Sequence, residues 1–147
     1  MSDKLQFEII TPDGTVFSEA VDEVVIPTPD GEIGVLPHHV PLVSLLQAGE
    51  VRIRMDDQVT YLAVSSGLLQ VHPDKVVALA DSAERAEQID EQRAEEARAR
   101  AAQLMQDKRV DSEEFAALSA KIEKELARLR VAKRRTTRRV DATRPQP

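Results

Sequence analysis

The sequence changes character at Asp81, because all five glycines precede this residue and no proline follows it until Pro145. Beyond Asp81 the dominant residues are Ala, Glu, Arg, Gln and Lys, which have high helix propensity. The first half instead has turn-forming residues roughly every eight to twelve positions, the spacing of a β-sandwich or barrel. A chain of 147 residues is long enough for two unequal units, and the pattern predicts one of strands and one of helices.

The sequence pattern of residues 4–80 predicts seven or more strands. Val51, Ile53 and Met55 alternate with polar residues, so their strand should have one buried and one solvated face. Pro and Gly between the strands preset turn geometry and leave no room for a helix. The predicted strands are Leu5–Ile10, Thr15–Ser18, Asp22–Pro27, Pro41–Leu45, Glu50–Met55, Val59–Val64, Leu68–His72 and Lys75–Ala80.

The second half predicts two helices, Ala83–Met105 and Ser112–Arg135, with capping boxes at Asp81/Glu84 and Asp111/Glu114 and a turn over 106–111. The expected apolar positions are Ala86, Ile89, Ala94, Ala97, Ala101, Leu104 and Met105, then Phe115, Leu118, Ile122, Leu126 and Leu129. Faces this thin bury little area, so the hairpin could detach from the sandwich or remain docked on it. The fold class is α+β: an all-β sandwich over 1–82, an antiparallel α-helical hairpin over 83–139 and a disordered tail over 140–147.

Composition excludes several classes of function. The chain has no cysteine, three scattered histidines and 3% aromatic residues, which argues against thiolate or histidine metal sites and base-stacking surfaces. His38 and His39 are adjacent on an extended segment, so they point to opposite faces and do not share one ion easily. A net charge of −6 argues against nucleic acid as a partner. We expect no membrane-spanning helix, no N-terminal targeting segment and, without a recognised catalytic motif, no enzyme.

Two clusters of charge remain open to interpretation. From Arg128 to Arg139 there are seven cations and no acid, which suits either an acidic partner or a solvated helix end. Asp90, Arg93 and Arg100 share a face of the first predicted helix. The two arginines could bind one polyphosphate while Asp90 takes hydroxyl, amine or metal contacts, and Lys124 and Arg128 could close the site from the second helix. Spacing alone favours modest salt bridges within the helices instead.

Three segments together resemble the epsilon chains of F-type ATP synthases. They are Pro29-Asp30-Gly31-Glu32-Ile33-Gly34-Val35-Leu36-Pro37-His38-His39-Val40-Pro41-Leu42, then Gly49–Ile53, then Ser66–Val71. Ile89-Asp90-x-x-Arg93-Ala94 also resembles the nucleotide-binding motif of bacterial epsilon tails. The resemblance covers Leu5 to about Arg135, and several motifs in order are more specific than any one.

The resemblance implies a ten-stranded sandwich on the central stalk that contacts the gamma subunit with one face and the c-ring through Glu32. It implies a tail that either folds on the sandwich or extends into the alpha/beta catalytic head, where its basic end inhibits ATP hydrolysis. The cations implied in that contact are Arg128, Arg130, Lys133, Arg134, Arg135, Arg138 and Arg139. The ATP contacts implied are Glu84, Ile89, Asp90, Arg93, Ala94, Arg100, Lys124 and Arg128, with lysine at 124 where the family pattern has arginine.

The leading hypothesis is a non-catalytic central-stalk subunit of a proton-translocating ATP synthase that couples rotation to synthesis and inhibits hydrolysis. It requires no cofactor, with Mg-ATP as an optional regulatory ligand. The alternative is a sensor module whose folded hairpin reports the nucleotide level, and a hydrolase or transferase with an unrecognised site is disfavoured. The expected location is peripheral, at the cytoplasmic face of a bacterial plasma membrane in preference to a thylakoid, with the membrane reached only through the complex.

Overall fold

Ten strands precede two long helices in the part of the chain that the computed structural model describes, residues 3–107 and 111–142, with residues 107 and 135–142 described as backbone only. The strands are Leu5–Thr11 (β1), Gly14–Val21 (β2), Glu23–Thr28 (β3), Gly31–Val35 (β4), Leu42–Leu46 (β5), Gly49–Met55 (β6), Gln58–Val64 (β7), Gly67–Val71 (β8), Lys75–Ala80 (β9) and Ala83–Arg85 (β10). A 3₁₀ turn at Ala86–Gln88 leads to the helices Glu91–Asp107 (α1) and Ser112–Ala142 (α2).

The strands form two five-stranded sheets, so the predicted sandwich followed by helices is confirmed. The first sheet has the order β2-β1-β9-β8-β5, and the second has the order β10-β7-β6-β3-β4. All pairs are antiparallel except β1 with β9, which run parallel with Gln6 opposite Lys75. The first strand of the chain therefore lies inside its sheet, between β2 and β9.

The core lies between the two sheets, because buried and more exposed side chains alternate along the strands. In β1, Leu5, Phe7 and Ile9 are fully buried while the residues between them are half-buried. The Phe7 ring packs against Phe17 of β2 with centroids 5.7 Å apart. The remaining core residues are mostly aliphatic, because only 3% of the residues in the chain are aromatic.

Two turns share the sequence Thr-Pro-Asp-Gly and the same geometry. Gly14 and Gly31 end these turns with φ of 130° and 118°, a region that L side chains rarely adopt. In each turn the threonine hydroxyl, of Thr11 or Thr28, donates to the glycine carbonyl, at 3.2 and 2.6 Å. Sequence chemistry alone therefore fixes the β1–β2 and β3–β4 hairpins.

The predicted start of the first helix at Ala83, with a capping box at Asp81, is wrong. Ala83–Arg85 is instead an edge strand paired antiparallel with β7, and Asp81 donates its amide to the Ser66 carbonyl. Backbone pairing across the sheet outweighs the helix propensity of a short Ala-Glu-Arg segment. The sandwich therefore extends beyond residue 82. The predicted strands also omit β4, because its two glycines lower its strand propensity.

The second helix begins as predicted, since the Asp111 carboxylate accepts the Glu114 amide at 2.8 Å. α2 continues past the predicted end at Arg135 to Ala142, so residues 140–142 of the expected disordered tail are helical, and residues 143–147 lie outside the described part. α1 and α2 pack against each other through a face that buries Ala94 and Ala101. Phe115 and Leu126, expected on the buried face, remain about half exposed.

Candidate functional site

α2 crosses the outer face of the second sheet, and this contact is the main interface between hairpin and sandwich. The helix packs on β6, β7 and the 3₁₀ turn. Val131 and Ala132 are fully buried there in a small apolar cluster. The other members of that cluster are Ala63, Ala86, Ile89 and Tyr61. An interface built on so few small side chains contributes only a few kcal/mol by apolar burial, with about 1.5–3 kcal/mol for a full-sized side chain.

Arg128 closes one side of the interface with two carboxylates. Its Nε and Nη2 donate to the two oxygens of Glu84 on β10 at 2.5 and 3.2 Å, and its Nη1 donates to Glu125 at 2.7 Å. Burial lowers the pKa of the Arg128 guanidinium, but the hydrogen bonds to Glu84 and Glu125 outweigh burial and raise the pKa overall. Glu125 is itself buried, so the ion pair between Arg128 and Glu125 is largely shielded from solvent.

Arg134 closes the other side by binding Glu50 of β6. Its Nε and Nη2 donate to the two Glu50 oxygens at 3.0 and 3.2 Å, and its guanidinium carbon lies 5.1 Å from the centre of the Tyr61 ring. The hydrogen bond to Glu50 raises the pKa of Arg134. Glu50 is only 7% exposed although it points outward from the sheet, because α2 covers it. This contact is therefore a bidentate pair reinforced by a cation–π contact.

The two arginines are placed symmetrically about the apolar contact. Arg128 and Arg134 lie three residues before and after Val131, which at 3.6 residues per turn places them about 60° to either side of it. Their long side chains reach around the contact to carboxylates on two different strands. The side of α2 that faces the sandwich is thus charged at its edges and apolar only at its centre.

The predicted ATP residues are divided between different surroundings. Ile89 is buried in the apolar cluster between α2 and the sandwich, and Ala94 is buried between α1 and α2. Asp90 accepts the Arg93 amide at 3.1 Å and so caps the N-terminus of α1. Arg93 and Arg100 are exposed on α1. Neither of these two side chains lines the cavity that lies between α2 and the sandwich.

Three of the predicted ATP residues do meet in one place. Glu84, Lys124 and Arg128 line a cavity of about 360 Å³ between α2 and the end of the sandwich. Its other lining residues are Thr11, Asp13, Val16, Ser82 and Ala83. The charges of Glu84 and Arg128 are directed at each other. Among the residues that the structure describes, Lys124 forms no ion pair with the sandwich and is the remaining cation of this lining.

The predicted cationic block is only partly available to a partner. Arg128 and Arg134 are engaged with the sandwich, whereas Arg130 is exposed and Lys133 lies close enough to Glu95 of α1 to help lower that carboxyl's pKa, after the larger effect of Arg98. Arg135, Arg138 and Arg139 are in α2, but their side chains lie outside the described part.

Glu32, the predicted c-ring contact, lies on the edge strand β4 with its side chain 58% exposed. One carboxylate oxygen is 3.6 Å from Nη2 of Arg52 on β6. This loose pair between exposed side chains leaves Glu32 accessible to another molecule.

The outer face of the first sheet carries an apolar row that the strand patterns did not lead us to expect. Leu45, Leu68 and Leu79 are opposite one another on β5, β8 and β9, and Ile10 of β1 continues the row. Leu45 is 62% exposed, and Val43 beside it is 67% exposed. The signal was present in β5 and β8, whose sequences LVSLL and GLLQV are apolar at positions on both faces.

Within residues 3–107 and 111–142, no group of three or more His, Cys, Asp or Glu side chains could hold a metal ion. In the same residues, neither α1 nor α2 is long and apolar enough to cross a membrane.

Comparison with known proteins identifies the class of protein that this fold represents. The family model of the ATP synthase delta/epsilon chain β-sandwich domain matches residues 4–86, which include β10 and end at the start of the 3₁₀ turn. A chain in the cryo-EM structure of the Euglena gracilis mitochondrial ATP synthase, OSCP/F1/c-ring, shares the fold with a TM-score of 0.73 at 21% identity. The match covers 88% of this chain and 81% of that chain.

Comparison with curated relatives identifies the subunit family within this class. The ATP synthase epsilon chain of Dehalococcoides mccartyi is 48% identical over 132 residues, which are 90% of this chain and 94% of the relative. That of Syntrophobacter fumaroxidans is 42% identical over 134 residues, with 91% and 99% covered. The chain therefore belongs to the ATP synthase epsilon chain family, as the sequence motifs predicted, and it is a component of an ATP synthase.

Proposed function

We propose that this chain is a non-catalytic subunit of the central stalk of a proton-translocating ATP synthase. In this proposal the sandwich couples rotation to ATP synthesis, and the helical hairpin inhibits ATP hydrolysis. The observation that carries the regulatory part is the hairpin interface, which is held by two arginine–carboxylate contacts around a small apolar centre. An element attached in this way can leave the sandwich without unfolding it.

The sandwich offers two surfaces for the assembly contacts. The row Ile10–Leu79–Leu68–Leu45 is the exposed apolar surface that we assign to the gamma subunit, because apolar rows on a folded sheet favour a protein partner. Exposed Glu32 on β4 is assigned to the c-ring. The chain reaches the membrane only through these contacts, which places it peripherally at the cytoplasmic face of a bacterial plasma membrane in preference to a thylakoid.

The inhibitory function is assigned to the basic end of α2 against an acidic surface of the alpha/beta catalytic head. The test compares ATP hydrolysis by a related bacterial catalytic core with full-length chain and with a chain ending at Gln88. The shorter chain keeps β10, which a cut at Ser82 would remove from the second sheet. We expect both chains to bind gamma and only the full-length chain to inhibit. Equal hydrolysis with both chains would refute inhibition by the hairpin.

A second comparison tests the charges themselves. Reversing the exposed Arg130 to Glu together with Arg135, Arg138 and Arg139 should relieve inhibition while binding to gamma persists, because like charges repel an acidic partner. Reversal of Glu113 and Glu123 to Lys, on exposed positions of the same helix, is the control for a change in charge alone. Unchanged inhibition by the first variant would refute the role of the basic end.

Regulatory binding of Mg-ATP is a second candidate function. It is favoured by the cavity that Glu84, Lys124 and Arg128 line together, and opposed by the pairing of Glu84 with Arg128, which a phosphate must break. Calorimetric titration of the full-length chain with Mg-ATP tests it, and we expect Lys124→Ala to weaken any binding. An affinity far weaker than cellular ATP concentrations would eliminate the sensor hypothesis.

A further inference from the structure

β5 differs from the other edge strands of the two sheets. In the described part of the chain the edges are β2 and β5 in the first sheet and β10 and β4 in the second. Edge strands usually carry a charge, a glycine, a proline or a bulge, which prevents pairing with another chain. β2 contains Glu19 and pairs with β1 through a register shift between Ile9 and Ile10. β10 contains two charged residues, and β4 contains Glu32 and two glycines, so these three edges are protected.

β5 carries none of these protective features. Its sequence, LVSLL, has no charge, glycine or proline, and Val43 and Leu45 are both more than half exposed. Leu36 and Val40, in the segment that leads into β5, add exposed apolar surface beside it. An edge strand also has backbone N–H and C=O groups on its free side that can pair with another strand. We propose that β5 of the free chain pairs antiparallel with β5 of a second copy, which joins the first sheets of the two copies.

The sequence of β5 is complementary to itself in one register. In an antiparallel pair, opposite side chains lie on the same face, so the outward residues Val43 and Leu45 must oppose outward residues of the second copy. A two-fold axis at Ser44 satisfies this condition along the whole strand. It places Val43 of each copy opposite Leu45 of the other, and Leu42 opposite Leu46. Apolar side chains therefore meet across the axis, and no like charges are brought together.

The small extent of this contact determines its strength. β5 has five residues, whereas each side of a standard protein–protein interface has about 20–30. We therefore expect a reversible dimer with a dissociation constant of about 100 μM, at the weak end of specific association. Association of this strength leaves the chain free to enter a complex.

The dimer is a form of the chain outside the complex. Leu45 belongs to the apolar row that the proposed function assigns to the gamma subunit, so a chain paired through β5 cannot present the whole row to gamma. α2 packs on the second sheet, so the dimer leaves the hairpin in place. The pairing itself does not rest on the proposed function, and it can be measured on the full-length chain alone.

The first experiment measures self-association by sedimentation equilibrium of the full-length chain, from about 10 μM to about 1 mM. Val43→Lys should raise the dissociation constant about tenfold, because a symmetric interface contains the change twice and each lysine replaces an apolar contact. Ala20→Lys is the matched control. Ala20 is exposed on β2, at the opposite edge of the same sheet, and the substitution changes the net charge equally. It should leave the dissociation constant unchanged.

The second experiment tests the register with disulfides, since the chain has no cysteine of its own. Val43 of one copy and Leu45 of the other should have Cα atoms about 4.5–5.5 Å apart, within reach of a disulfide. Two copies of Val43 are diagonal neighbours at about 7–8 Å, which is too far. Mild oxidation of a mixture of Val43→Cys and Leu45→Cys should therefore give the mixed disulfide as the main cross-linked product.

Several results would overturn the proposal. A monomer at every concentration tested is one. Self-association that Val43→Lys does not weaken, with strand signal intact by circular dichroism, is another, because the contact would then use a different surface. Equal weakening by Ala20→Lys would assign the effect to charge and not to β5. A mixture of cysteine variants that gives no excess of the mixed disulfide would refute the two-fold register at Ser44.

Discussion

Gly67 begins β8 at a point where the backbone of β9 passes against its α-carbon. A Cβ added to Gly67 would lie 1.8 Å from the Leu79 carbonyl oxygen and 2.9 Å from its carbon. Backbone atoms within a paired strand cannot yield without breaking the β8–β9 ladder. We expect Gly67→Ala to lower the free energy of unfolding by about 3 kcal/mol, measured by urea denaturation with far-ultraviolet circular dichroism.

Gly34 provides the control for this substitution. It is also a strand glycine, but the nearest atom to an added Cβ is a side-chain oxygen of Glu23 at 3.7 Å, an ordinary contact. Gly34→Ala should therefore change the free energy of unfolding by less than about 0.5 kcal/mol. Equal losses in the two variants would show that the cost is general to strand glycines and not due to the close approach of β9.

Glu50 shows what sequence reasoning at single residues could not reach. The alternation of β6 correctly placed Val51 and Ile53 inside and Arg52 outside. The same alternation predicts a solvated Glu50, whereas α2 buries it against Arg134. The burial depends on where a helix some eighty residues later crosses the sheet, and no local pattern encodes that position.

At the scale of elements, capping explains both a success and a failure of the predicted helices. Asp111 caps α2 as expected, but α1 is capped by Asp90 and not by Asp81. The true signal was the position of Asp90 before an unbroken helical run that opens with Glu91. The sequence interpretation instead places Asp90 within the predicted helix, as a nucleotide contact, whereas its carboxylate accepts the Arg93 amide.

This assignment leads to a prediction about α1. Asp90→Ala should destabilise the helix by about 1 kcal/mol, whereas Asp90→Ser should retain most of its stability, because a serine hydroxyl can accept the Arg93 amide. Hydrogen exchange of the α1 amides measures the effect. Equal protection in the alanine and wild-type chains would contradict the capping role.

The two variants also separate capping from ligand binding. If Mg-ATP binds through the Asp90 carboxylate, Asp90→Ser should lose binding although its helix is intact. If binding depends only on a folded hairpin, the serine variant should bind as the wild-type chain does. The comparison is possible because serine keeps the cap but removes the charge.

For the whole molecule, the sequence was sufficient to predict the two units and their order, because turn residues and strand alternation are local signals. It was also sufficient to predict the family, through motifs that span both units. The sequence did not predict how the two units contact each other. Arg128 and Arg134 were predicted to contact a partner, whereas tertiary packing pairs them with Glu84 and Glu50 of the sandwich. The apolar row on the first sheet likewise becomes visible only once β1, β9, β8 and β5 are in register.

The parallel pairing of β1 with β9 affects how the chain folds during its synthesis on the ribosome. β1 is synthesised first, yet one of its two neighbours emerges only after nearly the whole sandwich has been made. Contacts so distant in sequence form slowly, whereas the helices that follow can form within microseconds of leaving the exit tunnel. Until β9 arrives, the free edge of β1 can pair with the strands of other nascent chains.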